Sequence, residues 1–133
     1  MSRFIFDSKA QTDAGLRFLV PAGIESKAVL LDRLSAALNF PGYFGRNWDA
    51  FEECMRDLSW LPGGDVILRH DDLPLSQDLA SLSIYLSILK NAAEKWNADG
   101  ERKLIVIFPP DTESVVLDVL SYSERISLRI RDP

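Results

Sequence analysis

The sequence has little of the side-chain chemistry that forms disulfides, binds metals or supplies nucleophiles. Cys54 is the only cysteine among the 133 residues, so no disulfide can form within the chain. A single free thiol is typical of proteins that work in a reducing compartment. His70 is likewise the only histidine. These two counts leave few residues from which a metal centre or a catalytic pair could be built.

Long apolar runs are also missing. The longest ones, around residues 18–24 and 104–110, are far shorter than the roughly 20 residues that a membrane-spanning helix needs. The first nine residues lack the apolar core of a signal peptide. We therefore expect a soluble, cytoplasmic protein that makes no contact with a membrane.

The sequence also lacks a cluster of basic residues. The chain has 20 acidic and 15 basic residues, which give a net charge of -5 and a pI near 4.8. Surfaces that bind nucleic acids concentrate Lys and Arg against the phosphates, and the sequence has no such concentration. This balance argues against a nucleic-acid partner, and an acidic surface fits a basic protein better.

Short apolar runs alternate with amphipathic segments along the whole chain. The last of the interior runs is continuous, as expected for a central strand that is covered on both faces. Strands are predicted at Phe4–Phe6, Leu16–Val20, Asp65–Arg69 and Lys103–Phe108. Helices are predicted after Ser26 as N-cap, over Trp48–Met55 after Asn47 as N-cap, and over Ser76–Trp96.

The alternation predicts an α/β fold with a small, mainly parallel, three-stranded sheet flanked by helices. The three strands are Leu16–Val20, Asp65–Arg69 and Lys103–Phe108, and short elements are added at both ends of the chain. At the C-terminal end we expect a helix over Asp111–Leu120 and then an edge strand over Arg125–Ile130. The sequence has no repeat or linker, so residues 1–133 are expected to form one domain.

Leu38–Met55, with the sequence LNFPGYFGRNWDAFEECM, carries the most distinctive pattern. A proline is followed by an aromatic pair, a glycine, an asparagine, an aspartate-alanine pair and an acid-cysteine pair. The stretch resembles the signature of the barstar family of intracellular ribonuclease inhibitors. The resemblance is strongest over residues 38–60 and extends over about 16–108, which leaves 109–133 as a C-terminal extension. It implies a three-layer fold of the barstar type.

The resemblance also implies a function, which is to block the cationic active site of a ribonuclease or ribonuclease-like toxin. No cofactor or metal is implied. The residues implied to contact the partner lie in the loop and at the start of the helix that follows it: Tyr43, Gly45, Asn47, Trp48, Asp49 and Glu53. Independently of the family, Asp49 and Glu53 are four residues apart, so a helix places both carboxylates on one face. Such a pair suits charge-assisted hydrogen bonds to Arg, Lys or His.

Each of these residues also has a structural interpretation. Asp49 can stabilise the helix N-terminus through the helix dipole. Trp48 is three residues from Phe51, and both can belong to the core. Gly45 is expected to adopt a positive φ in the loop. Cys54 is expected to be a small buried hydrophobe.

Several positions depart from the pattern of the family. Arg46 places a positive charge in a loop that should be anionic, and Glu52 stands where the best-known member has an aromatic residue. A further acid on the long helix would fall near Asn91, and Glu94 is the nearest one. The identity of the partner ribonuclease is therefore left open.

Two other classes of function use different residues. An enzyme would have to use His70 with Asp71 and Asp72, or a pair of Cys54 with His70. Adjacent residues on an extended chain point apart, however, and acids beside a helical cysteine raise the pKa of its thiol. The sequence has no phosphate loop, dinucleotide fingerprint or nucleophile elbow, so we expect no enzyme. The second class is a scaffold that dimerises through the edge strand Arg125–Ile130, although a monomer is expected.

Overall fold

The computed structural model describes residues 4–7, 15–42 and 45–126, and these contain four strands, four α-helices and one short 3-10 helix. In chain order the elements are β1 (Phe4–Phe6), β2 (Leu16–Val20), α1 (Lys27–Ala37), α2 (Trp48–Asp57), β3 (Val66–His70), α3 (Leu79–Asp99), β4 (Leu104–Phe108), the 3-10 helix Pro110–Thr112 and α4 (Glu113–Ile126). The four strands predicted between Phe4 and Phe108 are present, with bounds that differ by at most one residue.

The strands form one sheet in the order β1-β4-β3-β2, and all three neighbouring pairs are parallel. The α/β class and the parallel, helix-flanked sheet are thereby confirmed, and so is the interior position of β4. The sheet has four strands rather than three because β1 pairs with β4, with Phe4 opposite Val106. The apolar run at the start of the chain therefore extends the sheet beyond its interior strand.

The main core lies on one face of this sheet. Alternate strand residues such as Val66, Leu68, Val106 and Phe108 form a single cluster with the buried residues of all four helices. Ile67 and Ile107, on the opposite face, are buried but do not belong to that cluster. Both faces of the sheet therefore contain buried side chains.

Helix starts follow the predicted caps. The Ser26 hydroxyl accepts a hydrogen bond from the Val29 amide at the start of α1, at 3.2 Å. The long helix α3 begins at Leu79 rather than Ser76, because Asp78 is its N-cap and accepts from the Ser81 amide at 3.2 Å. It ends at Gly100, whose φ of 82° is the left-handed conformation that favours glycine.

The C-terminal end corrects the predicted edge strand. Helix α4 continues to Ile126, so Arg125 and Ile126 are helical, and the remaining residues of that prediction, 127–130, lie outside the described part of the chain. Val116, Val119 and Leu120 anchor one face of the helix on the core, and each further residue then adds one backbone hydrogen bond, so the helix continues past Leu120. No helix among the described residues is both long and apolar enough to cross a membrane.

A buried polar network connects β3, β4 and α3. His70 is 3% exposed, and its ring stacks on Phe108 with centroids 4.1 Å apart. Its Nδ1 lies 3.0 Å from the Ile107 carbonyl oxygen, which can only accept, so Nδ1 carries the proton. Nε2 then accepts a hydrogen bond from the Tyr85 hydroxyl at 2.7 Å. Burial lowers the pKa of His70 to about 4, although the bond to Ile107 opposes this change, and burial raises the pKa of Tyr85.

This network predicts an acid-sensitive contribution to stability. Above pH 6.5 His70 is neutral in both the folded and the unfolded chain. As the pH falls from 6.5 towards 4, only the unfolded chain takes up the proton, and the fold loses about 2 kcal/mol by pH 5. Urea unfolding at pH 7 and pH 5 should therefore show a smaller loss for His70→Gln than for the wild type. Equal losses in the two proteins would contradict the buried neutral imidazole.

Candidate functional site

Helix α2 begins at a well-formed cap that orients the preceding loop. Asn47 has an extended backbone, and its side-chain oxygen accepts a hydrogen bond from the Ala50 amide at 2.8 Å. Asp49 lies in the first turn, where a carboxylate is stabilised by the helix dipole. The predicted N-cap is thereby confirmed, and it fixes the direction in which α2 leaves the loop.

The inner face of α2 is part of the core. Trp48, Phe51, Cys54 and Met55 are all buried, at spacings of three and four residues. The Phe51 ring packs against those of Trp48, at 6.0 Å, and Tyr85, at 5.8 Å. Trp48 is only 2% exposed, so its ring belongs to the core and not to an exposed contact surface. Of its two interpretations from the sequence, the structural one fits the structure.

The outer face of α2 carries three exposed carboxylates, those of Asp49, Glu53 and Asp57. They are four residues apart, so they form a line with a rise of about 6 Å between neighbours. We call these three residues the acidic stripe. Asp57 is not among the contact residues predicted from the sequence, because the predicted helix ends near Met55. The signal that could have found it is its spacing of four residues from Glu53.

The loop before α2 differs from expectation in its backbone. Among the described residues, Asn39 and Arg46 have positive φ values, 56° and 59°, and Gly45 does not. A Cβ atom at position 45 would lie 3.3 Å from the Asn47 side-chain nitrogen, so close approach to the cap is the constraint on Gly45. Gly45 is exposed and Asn47 is half-buried. Tyr43 lies outside the described residues.

The positive charge of Arg46 has a partner within the chain. Its guanidinium forms an ion pair with the carboxylate of Asp32 on α1, and both side chains are more than half exposed. The pair ties the loop to α1 and offsets the charge that departs from the family pattern. On α3, Glu94 forms an ion pair with Lys90 one turn earlier, with 3.2 Å between Nζ and Oε2.

A groove of about 500 Å³ lies beside the acidic stripe, and its lining includes Lys95 of α3. Trp60 forms part of this lining and is held in place by its Nε1–H, which donates to the Leu38 carbonyl at 2.9 Å. The full lining comprises Ala50, Glu53, Cys54, Arg56, Asp57, Trp60 and Lys95. The lining of the groove therefore combines apolar side chains with charged side chains of both signs.

Cys54 is a buried thiol at this groove. Its pKa is raised, first by desolvation and then by the negative charges of Asp57 and Glu53. A raised pKa keeps the sulfur in the unreactive thiol form at neutral pH.

His70, Asp71 and Asp72 do not line this groove. Both ring nitrogens of His70 are engaged, by Ile107 and Tyr85. Asp72 accepts a hydrogen bond from the Gly23 amide at 3.0 Å. The helix that follows, α3, is capped by Asp78. Over residues 4–7, 15–42 and 45–126, no group of three or more His, Cys, Asp or Glu side chains could hold a metal ion.

Comparison with known proteins finds a family match. A family model described as Barstar (barnase inhibitor) matches residues 17–108, which is 92 of the 133 residues. The match includes every residue of α2 and the loop before it. Searches of curated proteins and of solved structures returned no significant match.

The site predicts how fast Cys54 reacts. A thiol reagent should label the native protein slowly, and labelling should become fast in denaturant. Glu53→Gln and Asp57→Asn should each speed native labelling, because each removes a negative charge that raises the pKa of the thiol. Asp118→Asn on α4 is the matched control, since it removes one exposed carboxylate outside the groove. Fast labelling of the native wild type would show that the inner face of α2 is not closed.

Proposed function

The chain belongs to the barstar family, and from this premise we propose that it is an inhibitor that blocks the basic active site of a ribonuclease or ribonuclease-like toxin. The acidic stripe of Asp49, Glu53 and Asp57 would be its contact surface. We propose that the protein acts in the cytoplasm, as a monomer, and is not an enzyme. The single buried thiol supports a reducing location.

The observation that carries the proposal is the division of α2 into two faces. Its inner face is locked by packing, and its outer face holds three carboxylates in a row. Because the helix cannot rotate without exposing Phe51 and Met55, the backbone positions that carry the three carboxylates are fixed before a partner arrives. A preorganised backbone loses little conformational entropy on binding. A site built to hold RNA phosphates would offer Arg, Lys and His, which pair with carboxylates through charge-assisted hydrogen bonds.

The loop residues extend the proposed surface beyond the stripe. Gly45 and Asn47 would belong to this surface with Asp49, and Tyr43 is proposed as the aromatic contact that enters the cleft of the partner. Trp48 would contribute to this surface indirectly, because its buried ring packs under the first turn of α2, which carries Asp49. The ion pair between Arg46 and Asp32 keeps the loop cation directed towards α1, so it need not oppose a basic partner.

The scaffold alternative loses its main support. It rested on an edge strand over Arg125–Ile130, and the first two residues of that range are helical. It would also leave the acidic stripe without a role. Sedimentation of the free protein at micromolar concentration tests this alternative, because a scaffold of that kind would sediment as a dimer.

Titration against a basic ribonuclease, chosen first from any encoded beside this chain, tests the proposed surface. Asp49→Ala and Glu53→Ala should each weaken binding by about 2–5 kcal/mol, the range found when one partner of a buried, hydrogen-bonded charge pair is removed. Asp57→Ala should have a smaller effect of the same sign. Added salt should slow association, because screening shortens the reach of exposed charges to about 8–10 Å.

Asp118→Ala on α4 is the matched control for net charge, and it should bind as tightly as the wild type. Glu53→Gln separates charge from size and should lose most of what Glu53→Ala loses. If all acid variants bound alike, and salt had no influence on the rate of association, the acidic stripe would not be the contact surface.

A further inference from the structure

The C-terminal end of α2 is held by side chains from outside the helix. The last carbonyls of a helix have no partner within it. Here the Cys54 carbonyl accepts from the Leu58 amide at 3.0 Å, and Leu58 adopts a left-handed conformation with φ of 48°. The Met55 carbonyl accepts from the indole Nε1–H of Trp96, on α3, at 3.1 Å. That hydrogen bond is buried.

Arg102, just before β4, completes this arrangement. Its Nε donates to the Gly64 carbonyl at 2.8 Å, and its two terminal nitrogens donate to Pro62 at 3.0 Å and to Leu58 at 3.5 Å. The guanidinium carbon lies 4.8 Å from the centroid of the Trp96 ring. One planar cation therefore binds three carbonyls of the segment that leaves α2 and covers the tryptophan that holds the helix.

We infer that Arg102, together with Trp96, is a positioning residue that fixes the C-terminal half of α2 and thereby presents Glu53 and Asp57 to the partner. The inference rests on the proposed function. Arg102 lies outside the acidic stripe, so its influence on binding is indirect. A lysine keeps the charge but cannot bind several carbonyls in one plane or stack in the same way. The positive charge also lies at the end of the helix where the dipole favours a cation.

The two ends of α2 are held by separate groups of residues, so a change at one end should affect only the acids near that end. Asn47 and the buried Trp48 fix the first turn, which contains Asp49. Trp96 and Arg102 fix the last turn, which follows Glu53 and contains Asp57. Loss of Arg102 should therefore weaken the contribution of Glu53 to binding and leave that of Asp49 unchanged.

Double-mutant cycles against the same basic ribonuclease measure this difference. Arg102→Ala should weaken binding about tenfold, and Arg102→Lys should recover little of the loss. Adding Glu53→Ala to Arg102→Ala should cost clearly less than Glu53→Ala costs alone, whereas Asp49→Ala should cost the same in both backgrounds. Lys103→Ala removes a neighbouring exposed cation and should bind like the wild type. Trp96→Phe keeps an aromatic ring but loses the bond to Met55, and should reproduce the pattern of Arg102→Ala.

Amide hydrogen exchange on the free protein tests the same inference without a partner. Arg102→Lys should speed exchange of the amides in the last turn of α2 about tenfold, with the first turn unchanged. Loss of folding in Arg102→Ala would leave Arg102→Lys and Trp96→Phe to carry both tests. If exchange in the last turn of α2 stays at the wild-type rate, the positioning role is wrong. It is also wrong if the Arg102 and Trp96 variants bind like the wild type while Asp49→Ala and Glu53→Ala bind more weakly. If those two acid variants also bind like the wild type, the proposed contact surface itself fails.

Discussion

The ring of Phe51 on α2 packs against those of Trp48, Phe40 and Tyr85. The position of α2, and of the charges on its outer face, depends on this aromatic packing. Aromatic rings at these separations contribute through buried area and through their edge and face orientations. The contact to Tyr85 joins α2 to α3, and the hydroxyl of the same tyrosine reaches His70 on β3. A single group of rings therefore sets the angle of α2 against the sheet, and so the direction of every charge on its outer face.

Much of the fold follows from local rules that act within a few residues. Ser26 and Asn47 cap the helices that the sequence assigns to them, because a side-chain oxygen before an amphipathic run has the same amide to bind in any context. The continuous run at Leu104–Phe108 is interior to the sheet, as its lack of polar residues requires. The motif over Leu38–Met55 was sufficient to indicate the family, since its spacing is irregular and long.

Other features depend on contacts between residues that are far apart in the chain, and such contacts cannot be predicted from local sequence patterns. Trp48 fits a core and an interface equally well by type, and only the position of Tyr85 and Phe51 decides between them. Asp57 joins the acidic stripe because Trp96 and Arg102, roughly forty residues later, hold the final turn of α2. Arg125 and Ile126 continue α4 instead of forming the expected edge strand, because a helix already anchored by Val116, Val119 and Leu120 gains one hydrogen bond with each added residue.

The register of the first strand has a consequence for the order in which the molecule is completed. Phe4 pairs opposite Val106, so the neighbour of the first strand is synthesised 102 residues later. At a translation rate of about 5–20 residues per second, that neighbour arrives roughly 5–20 seconds after the first strand. The parallel sheet cannot close earlier, because each of its pairs joins distant parts of the chain. Phe4 and Phe6 therefore spend this interval without the ring of Phe108 to cover them.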